Sequence, residues 1–413
     1  MRDFWVSKRS LIIIGVLSIL LIRSSAWLLT IPILTNMSRI GMFVVTIIYG
    51  GLLLREKKPA SMVAIVLLFY LLLCVSTLLG SKDGVSFLSF AFQGISITVF
   101  LQYYLNRDAY RLAHLLRNFM IVLVVLNVAQ QIIFPNGQEV MSNSTTYIMF
   151  LLGSRISFLP PYMVCLFLCF LCEILDYGQI RFSCGTILMI VMTLVSMLIF
   201  KVATGLISLG VMIIMLVCGR RGRLRTLGNY WILSSVFVAA YLLIVVLTQA
   251  DFLSGFLAVF GKDTTFNNRS FIWASAMIQI AQSPLIGHGV TQSGSFAIDY
   301  GSRSGFLTAS ERPAHNQILH VLYEGGTLVL AVYIAMLLYI GKVVNRCANK
   351  ELALLTSVAL FVFNLASITE IQSQRGWMFI LFVLAANLDK FDALFSDDEE
   401  VVEEVELTLE GME

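Results

Sequence analysis

The chain predicts an all-α fold, a polytopic membrane helix bundle of about 12 transmembrane helices with one large helical outer loop. Three observations carry that reading. Of 413 residues, 58% are hydrophobic and only 13% charged, with a mean hydropathy of +0.86, which is more apolar than a soluble chain of this size. Apolar stretches near the length that crosses a hydrocarbon core recur from end to end. A single long polar excursion, residues 249–318, interrupts them.

Taken in order, the apolar segments fall near 10–29, 38–54, 59–79, 84–105, 114–134, 158–176, 183–199, 202–218 and 229–248, then 319–341, 352–368 and 376–392. The second, seventh and eighth are short, and Asn364 interrupts the eleventh. The first has a basic start and an apolar run without a convincing small-residue cleavage site, and is read as a retained helix. The transmembrane unit spans 1–392 and includes the outer loop 249–318. Residues 393–413 form an acidic cytoplasmic tail whose self-repulsion opposes order in isolation.

Charge sets the orientation. The chain has 28 Lys and Arg against 25 Asp and Glu, but 11 of the acids follow residue 388, so a basic body is joined to an acidic tail. Placing both termini in the cytoplasm puts 18 of the 28 basic residues on the inside, among them Arg220, Arg221, Arg223 and Arg225, as the retention of Lys and Arg in inner loops requires. The ten others include Arg155, Lys201, Arg269, Arg312 and Arg375 and lie in outer loops or at outer helix ends. Cations placed against that rule suit an anionic partner; the alternative is headgroup contact by snorkelling. The seven cysteines lie in or near apolar segments and suggest neither a disulfide framework nor a metal site. No nucleic-acid partner and no cofactor are expected.

The excursion concentrates the polar chemistry. In N-N-R-S-F-I-W-A-S-A-M-I-Q-I-A, residues Phe271, Ile272, Ala276 and Ile280 follow helical spacing, with Trp273 and Met277 one turn apart. Asn267 or Asn268 would cap this helix, leaving Arg269 in its first turn, where the helix dipole favours an anion. Ser283–Pro284 ends it, and Gly287–His288–Gly289 makes a turn in which backbone approaches a ligand or another helix. After a polar passage come Glu311, Arg312, Pro313, Ala314, His315 and Asn316, with His315 at the outer end of the tenth membrane helix and a Glu324–Gly325–Gly326 break further along. A histidine there titrates near neutrality and suits either a general base or a phosphate donor.

These residues together resemble the family of Wzy-type polysaccharide polymerases and O-antigen ligases. The shared pattern is Arg269 and Trp273, then Pro284–Leu285 with Gly287 and Gly289, then His315–Asn316, then Glu324–Gly325, covering roughly 267–330. The resemblance implies a GT-C-like fold and metal-independent glycosyl transfer at the outer face of a bacterial inner membrane. A polyprenyl-diphosphate-linked oligosaccharide would be the donor. A flippase and a chain-length regulator of the same pathway are the implied partners.

It further implies that cations stabilise the diphosphate leaving group. Arg269 is the first candidate, with Arg155 and Lys201 next; Lys201 departs from an arginine often found there, and lysine makes no bidentate contact. His315 is expected to activate the acceptor hydroxyl or bind diphosphate, with Glu311, Asp299 and Glu370 as alternative bases. Asn316, Glu324, Arg312, Arg375, Trp273, Gly287 and Gly289 are expected to support the site or meet the acceptor. Polymerisation of lipid-linked repeat units, as for capsule, exopolysaccharide or O-antigen, is the leading function. Ligation of finished glycan to a lipid or protein is the alternative within the class. A polysaccharide or lipid transporter is the alternative outside it, disfavoured because transporters place charges at broken helices near the midplane.

Overall fold

The computed structural model describes residues 8–22, 31–56, 61–80, 83–142, 145–154, 158–220, 226, 228–247, 269–291, 295–298, 310–372 and 376–395. Arg155, Asn267, Asn268, Asp299, Arg375 and the tail from 396 lie outside them, as do the side chains of Glu311 and Arg312. Each of the twelve predicted segments coincides with a helix: α1 (Lys8–Ile22), α2 (Pro32–Glu56), α3 (Ser61–Leu79), α4 (Gly84–Leu105), α5 (Ala109–Ile133), α6 (Leu159–Tyr177), α7 (Cys184–Ile199), α8 (Ala203–Gly219) and α9 (Tyr230–Leu247). The excursion contributes α10 (Arg269–Gln282), followed by α11 (Gln317–Arg346), α12 (Lys350–Ser367) and α13 (Trp377–Ala386). Helical backbone resumes at 388–395. Seven of these helices (α2 to α6, α11 and α12) are long and apolar enough to cross a membrane; α1, α7, α8, α9 and α13 hold shorter apolar runs. The protein is an all-α polytopic membrane protein.

Helix starts follow local chemistry. Asp83, Asp108, Ser183, Asn316 and Asn349 each accept backbone N–H groups at an N-terminus, satisfying donors the helix cannot pair itself. Gly178 closes α6 in the left-handed region at φ 70°. The expected interruption at Asn364 does not occur: α12 runs through it, because inside a membrane the intrahelical bond is the available partner for each backbone group.

Burial separates inner from outer helices. Every residue of α6 from Leu159 to Ile174 is buried, as is all of α13, whereas α2 turns Ile33, Ile40, Ile47 and Leu54 outward. Outward apolar side chains have lipid as their solvent, so the helices that are covered on every side form the centre of the bundle.

Strands not foreseen from the sequence occupy two loops. β1 (Gln138–Ser142), β2 (Thr145–Phe150) and β3 (Gly153–Ser154) form an antiparallel meander between α5 and α6. In the excursion, β4 (Ser295–Ile298) pairs with β5 (Ser310–Pro313). The meander is fastened to the bundle: Leu151 N–H donates to Gln130 Oε1 and Leu152 N–H to Asn127 Oδ1, both at 2.8 Å. Asn127 Nδ2 donates in turn to the Tyr162 hydroxyl at 2.8 Å, which donates to Ser196 Oγ at 2.9 Å, tying α5, α6 and α7 together below the sheet.

The bundle has two chemically different ends. At one, Arg107 pairs with Glu56, His114 Nε2 lies 3.0 Å from Asp176, Arg111 reaches Ser10, Lys390 bonds Asn106, and Arg220 reaches Gln179. At the other end lie the meander, the α7–α8 turn, the described part of the excursion and the start of the loop after α12.

Candidate active site

The site is built around the turn between β5 and α11. His315 lies in the left-handed region at φ 47°, a conformation that costs a residue with a Cβ about 1–2 kcal/mol, so its neighbours must hold it. Asn316 is the main clamp. Its Oδ1 caps α11 by accepting Leu319 N–H at 3.0 Å and also accepts the Tyr241 hydroxyl at 3.2 Å, while its Nδ2 donates to the Ile368 carbonyl at 3.1 Å. One fully buried amide thereby joins α9, α11 and the end of α12. Gln317 Oε1 accepts the Gln372 N–H at 2.6 Å, and Trp273, fully buried in α10, donates its indole N–H to the Ala314 carbonyl at 3.1 Å.

These clamps bring three ionisable side chains together. Arg269 Nη2 lies 2.7 Å from Glu370 Oε1, and His315 Nδ1 lies 3.8 Å from Glu370 Oε2. All three are partly exposed, with side-chain exposures of 21%, 21% and 14% for Arg269, His315 and Glu370, so solvent or a ligand can reach them. The anion favoured at the start of α10 is present in the fold itself, as the Glu370 carboxylate. The longer distance exceeds a hydrogen bond and is within reach of charge pairing once the imidazole is protonated.

Lys201 lies at the same end of the bundle. It is exposed and left-handed at φ 51°, in the three-residue turn between α7 and α8. Thr204, three residues on, has its hydroxyl 3.4 Å from that of Thr369, the neighbour of Glu370. Phe200 packs on Phe150 and Phe158 with ring centroids 5.0 and 5.5 Å apart. The segments flanking Arg155, Gly153–Ser154 and Phe158, are buried beside the Lys201 turn, although Arg155 and Arg375 themselves are outside the described residues.

The second half of the motif packs against helices. The backbone of 284–290 docks on α11 where that helix breaks at Gly326 (φ 65°, ψ −167°). Thr327 N–H donates to the Pro284 carbonyl, His288 N–H to the Tyr323 carbonyl and Gly289 N–H to the Glu324 carbonyl, each at 2.8 Å. Gly287 and Gly289 have φ 77° and 80° and are buried, and a Cβ on either would strike backbone of α11 or α3. Of the two partners open to this turn on sequence grounds, ligand or helix, the glycines meet helices. His288 is held by Nε2 at 2.7 Å from the Gln279 carbonyl and by its ring stacked on Tyr323. Glu324 accepts Ser76 Oγ on its carbonyl, and its carboxylate lies 3.2 Å from Nε2 of the fully buried His320.

Sequence reasoning placed Arg269 and His315 in one excursion but ranked Glu370 only among alternative bases. The partnership is invisible in the chain because about 55 residues, including two helices, separate Glu370 from His315. The one available signal is a carboxylate in a short loop on the same side as the excursion, by alternation of the helices.

The O-antigen ligase family model matches residues 188–334, from α7 through the first half of α11. The matched segment is similar to that family over about a third of the chain. The match holds Lys201, Arg269, Trp273, His315, Asn316 and Glu324; Glu370 falls outside it. No curated protein matches the chain. The match, on a multi-pass helical bundle, supports membrane glycan transfer of the O-antigen ligase or polymerase type.

Proposed function

We propose that the protein polymerises lipid-linked oligosaccharide repeat units at the outer face of a bacterial inner membrane, by metal-independent glycosyl transfer from a polyprenyl diphosphate. The observation that carries this reading is Glu370 lying between Arg269 and His315. In the proposed step the acceptor hydroxyl oxygen attacks the anomeric carbon of the donor sugar. The bond from that carbon to the phosphate oxygen breaks, its electron pair stays on the diphosphate, and the hydroxyl proton passes to His315 Nε2. Glu370 facing Nδ1 supports the imidazolium that forms, as a carboxylate does for a catalytic histidine elsewhere.

Arg269 takes the charge developing on the leaving diphosphate, exchanging or sharing its carboxylate partner with the ligand. Lys201, as a point charge, and Arg155 and Arg375 are assigned to the same anionic or acceptor contacts from their positions in the sequence. Asn316, Trp273, Gly287, Gly289 and Glu324 hold the turn rather than the substrate, and Arg312 remains assigned to the acceptor side. Transfer of finished glycan to a lipid or protein acceptor is the second reading, equally compatible with the family match. The lipid-linked products of a deletion strain separate them: single repeat units where the parent makes long chains support polymerisation, and accumulated full-length lipid-linked polymer supports ligation.

A further inference from the structure

At the basic end, remote from Glu370, a cavity of about 420 Å³ opens between the approach to α9, the last turn of α11 and the first turns of α12. Its polar wall includes Thr226, Asn345 and Lys350; its apolar wall includes Val344, Leu354 and Tyr230. Asn345 and Lys350 are exposed, as is neighbouring Arg346. The sequence runs Arg220, Arg221, Arg223, Arg225 directly into Thr226. Tyr230 and Trp231, with ring centroids 5.2 Å apart at the start of α9, are the residue types that mark a membrane–water boundary. Nearby carboxylates are engaged by backbone: Asp392 accepts Ala348 and Asn349 N–H at 2.6 and 2.8 Å, and Glu351 accepts Ile180 N–H at 3.3 Å.

We propose that this cavity binds the headgroup of an anionic phospholipid from the leaflet at the basic end. A pocket between helix ends that is cationic at its mouth, apolar on its inner wall and set at the height of interfacial aromatics matches a phosphate on a lipid, with the phosphate at Lys350 and the glycerol backbone against Val344 and Leu354. The acidic tail is the competing occupant by charge, but its side chains offer carboxylates without the apolar continuation that the inner wall accommodates.

Native mass spectrometry of the full chain in detergent, with dioleoylphosphatidylglycerol or dioleoylphosphatidylcholine added at equal concentration, tests the assignment. Retention of one phosphatidylglycerol per chain in preference to phosphatidylcholine is expected. Lys350→Gln should weaken that retention about fivefold, the effect of one cation near a membrane surface. Ala353→Phe, which fills the cavity without changing charge, should lower it independently, and either variant suffices if the other does not fold. Equal retention of both lipids, or retention untouched by the folded variants, overturns the proposal. Phosphatidylglycerol binding that appears only after deletion of 396–413 also overturns it and assigns the cavity to the tail.

Discussion

Glu370 holds Arg269 at 2.7 Å across a gap of about 100 residues in the chain. The contact neutralises the cation of α10 and leaves the second carboxylate oxygen directed to His315 at 3.8 Å. In the proposed reaction a substrate diphosphate meets an arginine already paired with a carboxylate, and its charge displaces that pairing. Exchanging one anion for another on the same arginine costs less desolvation than burying a new ion pair.

Replacing Glu370 by Gln keeps the size of the side chain and removes both pairings. Transfer in vesicles carrying the purified protein and lipid-linked substrate should fall by about 10²-fold or more, the usual contribution of a positioned acid–base partner. Protein abundance in the membrane should stay unchanged. A rate equal to the parent's would remove Glu370 from the mechanism.

His315→Gly separates chemistry from folding. Glycine adopts φ 47° without the Cβ penalty, so thermal stability in detergent should hold or rise by about 1 kcal/mol, while transfer is lost. A variant that melts well below the parent would mean that the imidazole serves the fold. Asn316→Ala should behave oppositely, losing about 1–2 kcal/mol with its cap.

Gly326→Ala addresses the break in α11. Its φ 65° and ψ −167° lie in a region essentially restricted to glycine, and an added Cβ would run into the backbone of Leu285. Destabilisation of about 2–3 kcal/mol is expected, read as a lowered melting temperature. An unchanged melting temperature would show that α11 can straighten and that the 284–290 loop is not anchored there.

Acid sensitivity should reside partly at Asp83. The Ser86 hydroxyl donating to its carboxylate, helped by the Ser86 and Val85 N–H groups, holds its pKa below the ordinary aspartate value. A lowered native pKa contributes stability that is complete above the unfolded value of about 4 and is lost as pH falls through the native one. Asp83→Asn should thus flatten the decline in melting temperature between about pH 5 and pH 3, and an identical decline in both proteins would refute the assignment.

The helices were legible because membrane spans announce themselves by length and composition, without reference to partners. Even the short α7 and α8 were separable, and the glycines of 287 and 289 signalled a turn. The strands were not legible: T-T-Y-I-M-F has β-forming residues, but pairing partners in a loop between helices leave no period long enough to read. The unbroken passage of α12 through Asn364 was missed because propensity is measured in water, whereas the membrane compels the helix.

By itself the sequence determined the number of apolar helices, the polar excursion and the candidates Arg269 and His315 within it, since these depend on composition and local spacing. The tertiary structure alone decided that Glu370 joins them, that Asn316 ties three helices behind them, and that Gly287 and Gly289 face helices. The physical reason is the same in each case: hydrogen bonds and ion pairs between helix ends act through space over a few ångströms, and their partners lie tens of residues apart along the chain.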